Sequence, residues 1–263
     1  GKVHSTATHT PKRKAHRLDE LTPTMNEADH WGLQRKIVHV IDREADTLGR
    51  MRQWDAKGHL FLVRCDERRV KWQGQSILLS EIADHFDAEV LFQAAGDARY
   101  HGQPVSQEVA ETEVVLDRSH SEVINGEKKS VPGRALKVRL IVTRLLDFDG
   151  YIVAQWTLLT NVFDSAISAY QIALWYYWRW LIETYFKLLK SHGIELEQWQ
   201  QQSGEAIARR ILVASMACVV VLGLQNDDSD EAIETRRILV RLSGRQMKYG
   251  CLSTAPALLA GLM

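Results

Sequence analysis

The stretch that decides the fold runs from Tyr176 to Lys190 and reads Y-Y-W-R-W-L-I-E-T-Y-F-K-L-L-K. Each residue of an α-helix advances by about 100°, so residues three and four apart share a face. On one continuous helix the polar residues would form a stripe within an arc of about 80°. The members of this stripe are Tyr176, Arg179, Glu183, Lys187 and Lys190. The other side is apolar and is expected to pack against the core, through Trp178, Leu181, Ile182, Tyr185, Leu188 and Leu189.

This stripe places one carboxylate, Glu183, among cations and a phenol. A carboxylate can hold a divalent metal, while arginine and lysine bind phosphate oxygens. The pattern therefore suggests chemistry on a phosphodiester. The alternative is an ordinary solvated helix face, on which Glu183 and Lys187 form an i,i+4 pair.

A second motif, I-V-H-V-I-D-R-E-A-D, spans Ile37 to Asp46. Its β-branched apolar residues predict a strand over 37–41, and the residues from Ala45 to Trp54 predict a helix. Asp42 then stands at the carboxyl end of a buried strand, where open α/β sheets bind their ligands. The alternative is that Asp42 simply caps the next helix.

Together the two motifs resemble those of insertion-sequence transposases of the DDE class, specifically the large bacterial family four of cut-and-paste elements. Members of that family carry the second catalytic aspartate in a D-R-E-A-D string and the catalytic glutamate in a Y-x2-R-x3-E-x6-K signature. The signature is met here by Tyr176, Arg179, Glu183 and Lys190. The resemblance covers nearly the whole chain from about Lys36 onward.

The resemblance implies that Asp42 and Glu183 are metal-binding catalytic carboxylates. It also implies that Tyr176, Arg179 and Lys190 contact the DNA of the transposon end. The expected cofactor is Mg²⁺ or Mn²⁺, because two such ions can clamp the attacking and leaving oxygens of a phosphoryl displacement. The implied partners are double-stranded DNA, as transposon ends and target, and a second copy of the chain in a homodimer.

Two further residues are candidate DNA contacts. Family members stack a flipped base on a tryptophan in a W-x-L-L-T strand, and Trp156 in Q-W-T-L-L-T matches that position. An aromatic platform partly offsets the few kcal/mol that unstacking costs. The alternative for Trp156 is a core tryptophan. Lys187 joins the set through its place on the stripe.

The first aspartate of the family pattern has no clear counterpart. It belongs on a strand upstream of D-R-E-A-D, whereas the acids before Asp42 lie in a polar segment without a strand pattern, namely Asp19, Glu20, Glu27 and Asp29. The chain starts with Gly1, and Lys2–Thr10 is a candidate remnant of an earlier strand. We therefore expect a core that lacks its first carboxylate, so that independent catalysis is uncertain. The alternatives are a catalytically dead remnant that only folds, binds DNA or dimerises, and an unrelated soluble domain with accidental matches.

The fold class expected is α/β (α+β), with an RNase H-like core that is incomplete at the N-terminus, a β-rich insertion and a helical C-terminal part. The expected divisions are a polar and basic segment over 1–35, the first part of the core over 36–64, the β-rich insertion and return strand over 65–162, the core helix over 163–195 and a helical region over 196–263. Asp164 or Ser165 can cap the core helix, which Gly193 would end.

Individual elements follow from apolar runs and turn residues. Strands are expected at His59–Arg64, Val90–Ala94, Val109–Leu116, Leu136–Leu146 and Tyr151–Asn161. Gln73-Gly74, Asn125-Gly126 and Asp149-Gly150 predict hairpin turns. Helices are expected at Glu205–Leu224, Ser229–Leu242 and Pro256–Leu262.

Composition indicates a folded cytoplasmic protein. The chain has 263 residues, 45% of them hydrophobic, and 33 basic residues balance 33 acidic ones, which argues mildly against a general DNA binder. The apolar run Ile211–Leu224 is too short to span a bilayer and predicts a buried helix. The 3 cysteines lack metal spacing and suggest reduced thiols, and His39 is expected to be structural because it alternates with valines on a strand.

Overall fold

The computed structural model describes residues 17–100, 103–124, 127–190, 194–201, 203–244 and 253–262. Contacts divide the chain into two compact units, Gly1–Tyr177 and Trp178–Met263. We call them the sheet unit and the helical unit, and each is described by itself. Their boundary falls inside the signature stretch, within the range 163–195 that was expected to form one core helix.

The sheet unit is built around one large mixed sheet. Its strands lie in the order β1-β2-β10-β9-β6-β3-β4, with β5 also paired to β6, and β7 and β8 form a separate two-stranded ribbon. The elements are α1 (Leu21–Asp29), β1 (Val38–Ile41), α2 (Leu48–Ala56), β2 (Leu60–Arg64), β3 (Arg69–Trp72), β4 (Gln75–Leu78), α3 (Leu79–Ala88), β5 (Gln93–Tyr100), β6 (Gln103–Leu116), β7 (His120–Ile124), β8 (Glu127–Val131), β9 (Leu136–Leu146), β10 (Ile152–Thr160) and α4 (Ala169–Trp178).

The strands β1 and β2 are parallel, with Val38 opposite Leu60 and Ile41 opposite Val63, and every other pairing in the sheet is antiparallel. The connection through α2 is the usual one between parallel neighbours. The helix predicted from Ala45 begins only at Leu48. The reason is that Arg43–Ala45 first form a 3-10 turn, which the Asp42 carboxylate caps.

One face of the sheet packs against α1, α2 and α3 in a continuous apolar core. Odd-numbered residues of β1 and β2 and even-numbered residues of β6 and β9 contribute to it, because side chains alternate between the two faces of a strand. Its members include Ile41, Met51, Trp54, Phe61, Val63, Ile82, Phe86, Val114, Val138 and Leu140. This core fixes the parallel pair, and therefore the end of β1 at which Asp42 stands.

The β-rich segment largely confirms the turn chemistry read from the sequence. Gln73 and Gly74 have φ of 48° and 84°, as a two-residue hairpin turn requires, and Gly150 has φ of 82°. The predicted strand Val90–Ala94 is wrong in position. The helix α3 occupies the residues before it, Val90 adopts φ of 52°, and β5 begins only at Gln93. Asn125-Gly126 lies outside the described residues, although β7 and β8 pair on either side of it.

The helical unit consists of α5 (Trp180–Lys190), α6 (Gly204–Asn226), α7 (Asp230–Leu242) and α8 (Ala255–Leu262), with a 3-10 turn at Leu196–Gln198. Ser203 and Ser229 cap α6 and α7. Its own core includes Leu188, Leu189, Cys218, Val221, Val240, Leu258 and Leu259. Among the described residues, Cys65 and Cys218 are buried free thiols.

The helix α6 is exposed along one side, which corrects the expectation of a buried helix. Large apolar side chains between 51% and 68% exposed follow that side, namely Leu212, Val213, Met216, Val219 and Val220. The helix is apolar around most of its circumference, and a run of apolar residues does not tell which side will be covered. By length and composition alone, Gly204–Gln225 is long and apolar enough to cross a membrane.

Candidate functional site

Asp42 stands directly after β1, at the carboxyl end of the parallel pair. Its Oδ1 accepts a hydrogen bond from the Arg43 backbone N–H at 2.8 Å and another from the Tyr176 hydroxyl at 3.3 Å. The first bond is a cap, as the alternative interpretation expected, but it caps a single 3-10 turn. The second bond joins the two sequence motifs across 134 residues.

Tyr176 is fully buried on α4, whereas the sequence placed it on a polar stripe facing DNA. Its ring packs against Trp156 of β10, with ring centroids 5.8 Å apart, and Trp156 in turn packs against Tyr100 at 6.4 Å. Trp156 is only 4% exposed. A ring that stacks on a base must present one face, so this burial favours the alternative of a core tryptophan. These ring contacts hold the Tyr176 hydroxyl beside the Asp42 carboxylate.

Asp46, the last residue of D-R-E-A-D, was not singled out from the sequence although it is the most buried acid of the motif. Its side chain is 2% exposed and forms an ion pair with Arg68, while its Oδ2 accepts from the Asp66 backbone N–H at 2.7 Å. Burial raises the pKa of Asp46, and Arg68 lowers it by less. Asp46 therefore ties the turn after β1 to the loop after β2, next to Asp42. The available signal was a third acid in the same short string, after Asp42 and Glu44.

The signature stretch is not one helix, which corrects the continuous stripe. The helix α4 ends at Trp178 and α5 begins at Trp180, with Arg179 between them. At this step the Arg179 carbonyl accepts from the Ile182 N–H at 3.0 Å, which is an i→i+3 bond of the 3-10 type. The start of the helical stretch also differs, because Ser168 accepts from the Gln171 N–H just before α4. Gly193 lies outside the described residues.

In the helical unit, Arg179 Nη2 lies 3.3 Å from Glu183 Oε1. The Arg179 side chain is 12% exposed and that of Glu183 is 54% exposed. Lys187 is exposed on the same helix, and Lys190 Nζ lies 3.1 Å from Glu197 Oε1. The Glu183 carboxylate therefore sits beside a shielded guanidinium, one turn from the exposed Lys187 and about two turns from Lys190.

The expected apolar side of this stretch is only half correct. Leu188 and Leu189 are buried, and the half-buried Tyr185 places its hydroxyl 2.6 Å from Ser215 Oγ. In contrast, the side chains nearer the amino end of the stretch are 43% to 50% exposed, namely Trp178, Leu181 and Ile182. Leu181 and Leu188 share one face of α5, so helical spacing identified the apolar face but not how much of its length is covered.

The predicted site residues thus fall into two groups. Asp42, Trp156 and Tyr176 are together in the sheet unit, and Arg179 and Glu183 are together in the helical unit. The acids that precede Asp42 lie in the 3-10 turn Arg17–Glu20 and in α1, so no strand within residues 17–37 carries a carboxylate. Chemically, both groups offer a carboxylate oxygen, the ligand that Mg²⁺ and Mn²⁺ prefer.

Comparison with known proteins gives one family. No curated protein matches the chain. The sequence profile of the transposase DDE domain matches residues 1–219, a range that holds both motifs and every strand of the sheet. The match confirms the DDE-class resemblance and, with the mixed sheet flanked by helices, the RNase H-like α/β fold class. Because the profile covers more than half of the 263 residues, the chain belongs to the transposase DDE domain family.

Proposed function

We propose that this chain is a catalytic-domain portion of a cytoplasmic transposase of the family-four type, which hydrolyses phosphodiester bonds at transposon ends and transfers the freed strand to target DNA. The observation that carries the proposal is Asp42 at the carboxyl end of β1, hydrogen-bonded to the tyrosine that opens the second motif. The family match supports it, since DDE transposases act on DNA and use divalent metal ions.

Asp42 and Glu183 are the metal ligands in this proposal. Both are carboxylates, and neither is buried, so the donor set suits Mg²⁺ or Mn²⁺. A bound ion would stabilise negative charge on the phosphoryl oxygens. Tyr176 acts as a positioning residue, because its hydroxyl donates to Asp42 Oδ1 and its ring is fixed by Trp156. Arg179 has the same role for Glu183.

For DNA contacts, exposure separates the five candidates. Lys187 and Lys190 are exposed and can reach phosphate, with Lys190 exchanging its surface partner Glu197 for DNA. Tyr176 and Trp156 are buried, and we assign them to the support of Asp42 instead. Arg179 is mostly shielded and bonded to Glu183. A homodimer that holds two DNA ends is part of the proposal.

The second candidate is a catalytically dead remnant that folds, binds DNA or dimerises. The observation that favours it is the placement of Asp19, Glu20, Glu27 and Asp29 in helical segments rather than on a strand beside β1. A site with two of three carboxylates binds metal more weakly, because fewer charges offset the cost of dehydrating the ion.

A nicking assay on supercoiled plasmid, with Mg²⁺ or Mn²⁺ added, tests the proposal. The wild-type chain should nick, and Glu183→Gln should lower the rate at least about hundredfold while binding duplex DNA almost as before, since losing a metal ligand removes charge stabilisation of the transition state. Glu205→Gln is the matched control. Glu205 also pairs with an arginine at i,i+4 on an exposed helix, and its loss should leave the rate unchanged.

Three results would change the assignment. Equal rates for Glu183→Gln and Glu205→Gln would remove Glu183 from the site. A wild-type chain that binds duplex DNA but nicks with neither metal would establish the remnant. A chain that neither binds nor nicks would overturn both candidates.

A further inference from the structure

A second cluster of metal-ligating side chains lies at the opposite end of β1 from Asp42. It consists of Asp29, the last residue of α1, His39 in β1 and His59, which directly precedes β2. The two strands are parallel with His39 opposite Phe61, so both histidines stand near the amino end of the pair. His39 and Asp42 are three residues apart, which is about 10 Å along a strand.

The three side chains converge. His59 Nδ1 lies 3.2 Å from Asp29 Oδ2, and the rings of His39 and His59 meet edge to face with centroids 5.8 Å apart. One ligand atom from each of the three residues lies within 4.8 Å of the other two. Ligand atoms of a tetrahedral zinc site are about 3.3 Å apart, given Zn–N distances of about 2.0–2.1 Å. The ligand atoms are therefore somewhat farther apart than in a zinc site. Asp29 is exposed at the end of its helix, so a rotamer change can bring its carboxylate closer.

His59 is held in the orientation of a ligand. Its side chain is 3% exposed, and its Nε2 donates to Asn26 Oδ1 at 3.1 Å, one turn before Asp29 on α1. With Nε2 donating to Asn26, Nδ1 faces the Asp29 carboxylate. A hydrogen bond to the remote ring nitrogen is the usual outer-shell contact of a metal-bound histidine. Two acceptors facing each other at this distance need a positive charge between them, either a proton or a metal ion.

A solvent-open cavity adjoins the cluster and is lined by Leu33, Lys36 and Gly58 beside Asp29 and His59. It gives an ion a path inward and leaves room for a water molecule as fourth ligand.

We propose that Asp29, His39 and His59 form a binding site for a borderline divalent cation such as Zn²⁺, separate from the carboxylate site of the transposase chemistry. Two imidazoles and one carboxylate select zinc-like ions over Mg²⁺, which prefers oxygen alone. The ion would tie the end of α1 to the β1–β2 pair. Met25 of α1 is part of the core under that pair, so the site stabilises the packing of α1.

Titration of the metal-stripped full chain tests the site, by calorimetry with Zn²⁺ and by the visible absorption of Co²⁺. We expect one equivalent to bind and to raise the melting temperature, because a ligand that binds only the folded state stabilises it. Asp29→Asn and His39→Gln should each weaken Zn²⁺ affinity at least about tenfold and abolish the temperature shift. These two positions are preferred because loss of the buried His59 could disturb folding.

His85→Gln is the matched control, since His85 packs against Trp72 with ring centroids 5.0 Å apart and takes no part in the cluster. It should bind Zn²⁺ as the wild type does, and Mg²⁺ should give no temperature shift through this site. Equal affinity in Asp29→Asn, His39→Gln and wild type would overturn the proposal by placing the ion elsewhere. Loss of Zn²⁺ binding in Asp42→Asn alone would assign it to the other carboxylate site. No binding to the wild type would overturn the proposal outright.

Discussion

Asp46 shows at the scale of one residue how the D-R-E-A-D string is held in place. The carboxylate is paired with Arg68 and accepts from the Asp66 N–H, yet its Oδ1 accepts no hydrogen bond from the described residues. Burial removes water from this charge at a cost that the pair only partly offsets. The pKa of Asp46 is therefore raised above its ordinary value of 3.8.

The raised pKa predicts the sign of a pH effect. The folded chain holds the Asp46 proton more tightly than the unfolded chain, so this group stabilises the fold most below pH 3.8 and its contribution is lost as pH rises through the folded-state pKa. Asp46→Asn, which cannot titrate, should lack this fall and show a flatter dependence of the free energy of unfolding on pH. Urea denaturation over a pH series measures it.

Asp66→Asn is the control for that series. The Asp66 side chain is 65% exposed and its Oδ1 lies 3.5 Å from Arg43 Nη1, a surface pair worth at most about 1 kcal/mol. Its profile should keep the fall with rising pH, made slightly smaller because the Asp66 charge is the least of the causes that act on the pKa of Asp46. If the free energy of unfolding changed with pH in the same way for Asp46→Asn and wild type, burial would not disfavour the charged form of Asp46.

At the scale of elements, α7 and α8 pack closely at a glycine. A Cβ built on Gly261 of α8 would lie 1.9 Å from the Leu239 carbonyl oxygen of α7, which is backbone and cannot rotate away. Gly261→Ala should therefore push the helices apart and lower the free energy of unfolding by about 1–3 kcal/mol. Chemical denaturation of the full chain measures the change.

Gly223 of α6 is the matched control, because it is also helical and a Cβ there would meet nothing within 4 Å. Gly223→Ala should raise stability by about 0.5–1 kcal/mol, since alanine loses less backbone entropy in a helix. If Gly261→Ala were as stable as Gly223→Ala, the close approach of α7 and α8 would be wrong.

Elements could be predicted where one local signal dominates. The strand β9 has the predicted bounds, Leu136–Leu146, because its apolar residues are buried on both faces. The turn between β3 and β4 was predictable from Gly74, since glycine adopts a positive φ without strain. The helix α3 was missed although its buried residues recur at helical spacing, namely Leu79, Ile82, Ala83 and Phe86. The sequence predicted a strand at Val90–Ala94, just after this helix, since Val90 and the apolar residues after it also suit β structure.

The candidate site was predictable only in part, for a physical reason. Local spacing marked Asp42 and Glu183 but carried no information on the bond from Tyr176 to Asp42, which depends on how α4 lies against the sheet. The break at Arg179 was equally invisible, because helical periodicity counts residues and assumes that the helix continues. The sequence left Trp156 open as a DNA contact or as a core tryptophan, and its burial depends on tertiary packing that no local pattern shows.

At the scale of the whole molecule, Asp42 and Glu183 belong to different units, each with its own apolar core. If Asp42 and Glu183 share one catalytic role, residues of both units must act in the same reaction step. Kinetic coupling can test it without any assumption about their arrangement, because residues that act as one catalytic unit have grossly non-additive effects when they are replaced.

We expect Asp42→Asn and Glu183→Gln each to abolish most Mg²⁺-dependent nicking of supercoiled plasmid, and the double variant to be hardly slower than either single one. Once one ligand is lost, the ion no longer stabilises the transition state, so the second loss has little left to remove. The pair Asp42→Asn and Glu205→Gln supplies the comparison, because Glu205 lies on an exposed helix face and should add nothing in either background. If the two single effects multiply instead, Asp42 and Glu183 act independently and a shared metal site is excluded.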